Sequence, residues 1–234
     1  MINMGVERFR GESAPNAEMK CLCVLVIDVS GSMEPYMSEL NRALYNFFED
    51  IEISRGLPES TKDQLEICLY AYDEDVMLKR NPCLLKPGER PAKLVERGSV
   101  TNSVEALHAA IKMVDDRKEF YKDTGQPYYR PWIIFMTDGE PYPFCESDIA
   151  DLERQIMSDA QAKKYHIMGL GVGDSISEKT LMRLTNNNAR KLRGTNFGAF
   201  FNWLSNSMGI IVPSKPGDKV KLPKSEGWGT EFEV

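Results

Sequence analysis

Seven apolar residues at positions 21–27 lead directly into the segment Asp28-Val29-Ser30-Gly31-Ser32-Met33. A run this apolar is typical of a strand that is buried on both faces of a sheet. The end of the strand therefore places one carboxylate and two hydroxyls at the carboxyl edge of that sheet. Gly31 permits the tight backbone that turns both hydroxyls toward one point beside Asp28. Oxygen donors of this kind suit a hard divalent cation such as Mg²⁺.

Apolar strand patterns alternate with amphipathic helical patterns along the chain. We predict strands at 20–28, 64–72, 76–79, 132–137, 165–172 and 189–193, and helices at 35–53, 102–121, 147–164, 177–185 and 196–211. This order is typical of an α/β fold with a doubly wound, mainly parallel sheet that is flanked by helices on both faces. Residues 76–79 would form one short antiparallel edge strand.

The length of 234 residues suits one domain with extensions. We predict a flexible N-terminal arm at 1–17, a folded domain at 18–212 and an extended C-terminal tail at 213–234. Trp228 in that tail is a candidate anchor onto the domain. An apolar fraction of 42% is compatible with a packed core.

Charge and composition exclude several classes of function. The net charge of −6, with no basic stripe to offset it, argues against nucleic-acid binding. No apolar run approaches the roughly 20 residues that span a bilayer, so we expect no membrane insertion. Residues 1–20 lack the apolar core of a secretory signal, and five cysteines give no disulfide framework. We therefore expect a cytoplasmic protein.

Two further segments converge on the segment that begins with Asp28. Thr101 lies just before a predicted helix, and Asp138 follows the predicted strand at 132–137. The carboxyl ends of the first and fourth strands are neighbours at the switch point of a doubly wound sheet, where ligands bind. The hydroxyls of Ser30, Ser32 and Thr101 can bind Mg²⁺ or Mn²⁺ directly, while Asp28 and Asp138 act through water. Such a metal keeps an open position, which would capture an Asp or Glu of a protein partner.

This pattern resembles the von Willebrand factor A (VWA) domain and its metal-ion-dependent adhesion site (MIDAS). The family motif consists of Asp-x-Ser-x-Ser, a distant Thr and a distant Asp that is usually followed by Gly. Asp28, Ser30, Ser32, Thr101 and Asp138 match it position by position. The resemblance covers about residues 20–211. It implies a Rossmann-like fold, direct metal coordination by the hydroxyls, and carboxylates that act largely through water.

The third hydroxyl ligand has two candidates. The family often shows Gly-Gly-Thr or Gly-Ser-Thr at this point, whereas the run here is Gly98-Ser99-Val100-Thr101, which is one residue longer. Alignment of the following residues, 102–107, favours Thr101. Ser99 is the alternative.

A narrower resemblance is to the small bacterial VWA proteins of the tellurite-resistance (TerY-like) group. It is carried by Tyr-Arg-Pro-Trp at 129–132, Thr-Asp-Gly-Glu-Pro at 137–141, Gly-Leu-Gly-Val-Gly at 169–173, Leu-Pro at 222–223 and Gly-Trp at 227–228. This resemblance implies a role in a stress-response, tellurite-resistance-like or defence system that is associated with protein kinases or phosphatases.

The favoured function is a metal-dependent protein-binding module that is not an enzyme and has no catalytic residues. No nucleophile–base pair is visible, and the chain has only two histidines. One alternative is a magnesium-dependent, phosphatase-like hydrolase, although such enzymes place a second Asp where this chain has Ser30. Another is an adaptor whose metal is only structural. In the favoured case, Tyr142 and Phe144 near Asp138 are candidates for partner contact, because aromatic residues are enriched at binding hot spots.

Overall fold

The computed structural model describes residues 8–9, 11–213, 221–225 and 227–230. Its strands are β1 (Cys21–Asp28), β2 (Leu65–Tyr72), β3 (Val76–Cys83), β4 (Trp132–Thr137), β5 (His166–Gly171), β6 (Ala189–Leu192) and β7 (Gly229–Thr230). They form one sheet in the order β3-β2-β1-β4-β5-β6-β7. Strands β2, β1, β4, β5 and β6 are parallel to one another, and β3 and β7 are antiparallel to their neighbours.

Helices cover both faces of this sheet. They are α1 (Met37–Glu52), α2 (Thr61–Gln64), α3 (Ser103–Asp123), α4 (Glu146–Gln161), α5 (Glu178–Arg183) and α6 (Phe197–Ile211), and a short 3-10 helix at Gly31–Tyr36 precedes α1. Alternate side chains of β1 enter opposite cores. Leu25 and Ile27 pack with α1 and α6, whereas Val24 and Val26 pack with α3, α4 and α5. An unbroken apolar strand is needed here because both of its faces are buried.

The fold class predicted from the sequence is confirmed. The antiparallel edge strand is longer than the predicted 76–79, because β3 continues to Cys83. Pro82 lies in this extension and is a local signal against a strand. The buried Arg80 holds the extension against β2, since its guanidinium donates to the carbonyls of Ile67, Cys83 and Leu84.

Segments outside the predicted domain also contact it. Phe9 is buried against Phe120 of α3, with ring centroids 5.7 Å apart. Trp228 is buried against Phe200 and Trp203 of α6, as the sequence suggested for the tail. The boundaries at 17 and 212 themselves stay a prediction. No helix within the described residues combines the length and the apolarity needed to cross a bilayer.

Candidate metal centre

Asp28 is the last residue of β1 and is completely buried. Both of its carboxylate oxygens are held by hydrogen bonds. The backbone N–H of Ser30 donates to Oδ1 at 2.8 Å, and the hydroxyl of Thr137 donates to Oδ2 at 2.7 Å. Thr137 is positioned for this contact because β1 and β4 are parallel neighbours with Ile27 opposite Met136.

A chain of hydroxyl contacts connects the end of β1 to the end of β4. Ser30 Oγ lies 3.1 Å from Ser32 Oγ, and Ser32 Oγ donates to Asp138 Oδ1 at 2.9 Å. The structure therefore brings together Asp28, Ser30, Ser32 and Asp138. More than a hundred residues separate Asp138 from the other three in the sequence. Their role as metal ligands stays a prediction.

The tight turn at Gly31 brings the segment at 97–101, which we call the third loop, against this cluster. The N–H of Gly31 donates to the carbonyl of Gly98 at 3.2 Å. A Cβ atom at position 31 would lie 2.9 Å from that carbonyl oxygen, so glycine is needed for this close approach. The loop is further fixed by the N–H of Arg97, which donates to the carbonyl of Val29 at 2.8 Å.

Thr101 is fixed by its backbone rather than by the serine cluster. It forms an isolated antiparallel bridge with Tyr142, with N–H to carbonyl distances of 3.2 and 2.9 Å. Tyr142 lies four residues after Asp138, so this bridge joins the third loop to the loop that follows β4. Thr101 is buried, whereas Ser99 is exposed. The choice between these two residues as the third hydroxyl ligand stays a prediction.

The electrostatics of the cluster favour a bound cation. Burial, with a smaller contribution from the charge of Asp138, raises the pKa of Asp28 to about 6 against the opposing hydrogen bonds from Ser30 and Thr137. Burial also raises the pKa of Asp138, against the hydrogen bond from Ser32. A cation placed between the two carboxylates would lower both pKa values by stabilising the ionised forms.

The donor set fits a hard divalent cation, because every candidate ligand atom is a carboxylate or hydroxyl oxygen. The described residues contain no group of three or more His, Cys, Asp or Glu side chains that could hold a metal ion. A transition-metal site of the usual histidine and cysteine type is therefore absent from that part of the chain.

Two contributions to this site were not assigned a role from the sequence. Thr137 orients Asp28, and its position at the end of β4, in register with the end of β1, is the signal that identifies it. Asp73, which is buried, binds the third loop, because its carboxylate contacts Arg97 at 2.7 Å and its carbonyl accepts from Asn102 N–H. No local pattern distinguishes Asp73 from an ordinary turn residue.

Comparison with known proteins agrees with this architecture. The family model for the von Willebrand factor type A domain matches residues 23–202. No curated protein sequence matches the chain.

Several solved structures share the fold. A von Willebrand factor type A protein from Catenulispora acidiphila is 17% identical with a TM-score of 0.61, over 82% of this chain and 43% of that chain. The vWF domain of the type V pili tip protein Mfa5 from Porphyromonas gingivalis is 12% identical with a TM-score of 0.56, over 87% and 99%. Proximal thread matrix protein 1 from the mussel byssus, with a zinc-occupied MIDAS motif, is 12% identical with a TM-score of 0.51, over 82% and 49%. The chain thus spans less than half of two of these proteins, and identities this low show the fold alone.

Proposed function

Because the chain belongs to the von Willebrand factor type A family, we propose that it is a metal-dependent protein-binding module that captures an acidic residue of a partner. The observation that carries this proposal is the hydrogen-bonded chain from Asp28 through Ser30 and Ser32 to Asp138. It gathers oxygen donors at the carboxyl edge of the sheet, where α/β folds bind their ligands.

The proposed cation is Mg²⁺ or Mn²⁺. The hydroxyls of Ser30, Ser32 and Thr101 would hold it directly, and Asp28 and Asp138 would act through water. When bound, the metal supplies an uncancelled positive charge and an open position for a carboxylate oxygen. The protein fixes the orientation of its own donors, since Thr137 and the Ser30 backbone hold both oxygens of Asp28. Zinc occupies the MIDAS motif of the mussel protein, so the identity of the cation is itself to be measured.

We also propose that the site is not catalytic. His166 begins β5, whereas Asp28 ends the parallel β1, so this histidine lies at the opposite edge of the sheet. The other histidine, His108, is exposed on the second turn of α3. Among the described residues, neither histidine forms a hydrogen bond with the cluster of Asp28, Ser30, Ser32 and Asp138. The position that a phosphatase-like aspartyl enzyme fills with a second Asp holds Ser30.

The proposed cellular context rests on sequence resemblance. The segments quoted above, such as 129–132 and 137–141, support a cytoplasmic, TerY-like role in a stress-response, tellurite-resistance-like or defence system. A partner of the kinase- or phosphatase-associated type follows from the same resemblance.

The test is an affinity capture from lysate of the source cell with Mg²⁺ or with EDTA. We expect partners that bind the wild type only with Mg²⁺ and that are lost from the variant S30A/S32A. Ser158→Ala, on the exposed side of α4, is the matched control and should retain them. Circular dichroism checks that the variants are folded. Equal capture in EDTA, or full capture by S30A/S32A, would contradict the proposal.

A further inference from the structure

A small cavity lies beside the metal centre, and we call it the flanking pocket. Its volume is about 160 Å³, and its walls come from residues 101–105 on one side and 141–148 on the other. Thr101 is part of its lining, so the pocket and the candidate metal centre share a residue. The backbone bridge between Thr101 and Tyr142 holds the two walls together.

We propose that the flanking pocket binds a Lys or Arg side chain of the same partner that offers its carboxylate to the metal. The inference rests on the proposed function, because the metal supplies the first anchor and the pocket supplies the second. A cavity of this size accommodates a single side chain rather than a folded segment.

The lining of the pocket suits the aliphatic part of such a side chain. Val104, Pro141 and Pro143 provide apolar surface on both walls. Lys and Arg bury their methylene groups against surfaces of this kind while the charged end remains near water.

Two exposed carboxylates, Glu105 and Asp148, complete the lining and provide the complementary charge. Neither forms an ion pair with a Lys or Arg of the described residues, and the hydrogen bond found for the Asp148 side chain comes from the hydroxyl of Ser147. Other acidic residues of α4 are already paired, since Arg183 contacts both Glu146 and Glu153. The pocket therefore offers two uncompensated negative charges next to apolar walls.

Glu105 and Asp148 also lie in the first turns of α3 and α4, where acidic residues favour a helix whether or not they bind anything. The experiment must therefore measure ligand preference as well as stability. It must also distinguish binding of the partner's carboxylate by the metal from binding of the partner's Lys or Arg by the flanking pocket.

The experiment is a selection from a library of hexapeptides with one fixed Glu and all other positions randomised, on immobilised protein with Mg²⁺. We expect Lys or Arg to be enriched at one position near the Glu on the wild type. On the variant E105Q/D148N, this enrichment should disappear while the need for Mg²⁺ and Glu remains. The affinity of a selected peptide should fall about 1.5-fold to 5-fold, the range for a partly exposed charge pair. The variant E59Q/D123N removes the same charge from exposed positions outside the pocket and should keep the enrichment.

The possible outcomes separate the two proposals. Peptides that need Mg²⁺ and Glu but show no preference for Lys or Arg, or that favour apolar neighbours, overturn the flanking-pocket proposal and leave the proposed function intact. Enrichment that survives in E105Q/D148N also overturns it, because the cation is then recognised elsewhere. Peptides selected without any need for Mg²⁺ or Glu overturn both.

Discussion

The buried charge of Asp28 leads to a quantitative prediction for the variant Asp28→Asn. The pKa of Asp28 is raised from 3.8 to about 6 because the carboxylate is buried. At about 1.4 kcal/mol for each unit, the ionised carboxylate costs the metal-free fold about 3 kcal/mol near pH 7. Asparagine removes this charge, keeps an oxygen acceptor for the Ser30 N–H and offers an amide donor to the hydroxyl of Thr137. We therefore expect the metal-free variant to be more stable than the wild type by about 2–3 kcal/mol.

The same argument fixes the direction of the pH dependence. A group whose pKa is raised on folding contributes stability below its unfolded pKa, here about 3.8, and loses it as the pH rises through its folded pKa, here about 6. In EDTA, the advantage of Asp28→Asn over the wild type should therefore shrink as the pH falls from 7 toward 4.

The assay is urea unfolding in EDTA and again with Mg²⁺. A cation that binds only the folded wild type at a hundred times its Kd should add about 2.7 kcal/mol to the free energy of unfolding. Asp28→Asn should gain far less. The matched control is Asp159→Asn, because Asp159 is also buried but is paired with Lys164 at 2.7 Å and with the Tyr165 hydroxyl at 3.0 Å.

Asp159→Asn should lose stability, since it disrupts a satisfied pair, and should keep the full response to Mg²⁺. The reasoning about Asp28 is refuted if Asp28→Asn is less stable than the wild type in EDTA at pH 7. It is also refuted if Mg²⁺ stabilises that variant as much as the wild type.

Three further predictions concern the loops around the site. Thr101→Ala should weaken Mg²⁺ affinity about tenfold or more by calorimetry, whereas Ser99→Ala should change it little; the reverse result would make Ser99 the third ligand. The double variant Y142A/F144A, which removes side chains that are 61% and 56% exposed, should lower affinity for a captured partner at least about tenfold and leave Mg²⁺ affinity unchanged. Equal partner affinity would remove these aromatics from the interface. Gly31→Ala should destabilise the protein by about 1–3 kcal/mol in urea unfolding, because its Cβ would meet a carbonyl oxygen at 2.9 Å, and an unchanged midpoint would contradict this.

The parts of the fold that follow from local pattern were predictable. The continuous apolar runs of β1 and β4 marked central strands, and parallel order then placed Asp28 next to the end of β4. This is why four of the five site residues could be expected at one edge before their contacts were known. The arrangement required only strand order and the alternation of helices with strands.

Contacts between loops were not predictable in the same way. The bridge from Thr101 to Tyr142 joins residues of two separate loops, and no periodicity encodes it. The extension of β3 depends on the buried Arg80, whose carbonyl partners come from another strand and from the chain that follows. Such long-range hydrogen bonds decide where a strand ends, and a proline in the sequence gives the opposite local signal.

The packing of Trp228 has a practical consequence for the size of the smallest folding unit. The family match ends at residue 202, yet Trp228 covers Phe200 and Trp203, and β7 pairs with β6 at the margin of the sheet. A shortened protein that ends near 213 would expose these aromatic rings to water and leave β6 as an open edge. Both changes promote self-association. Binding experiments on such a fragment would therefore risk measuring adhesion of its uncovered surface in place of recognition at the proposed metal centre.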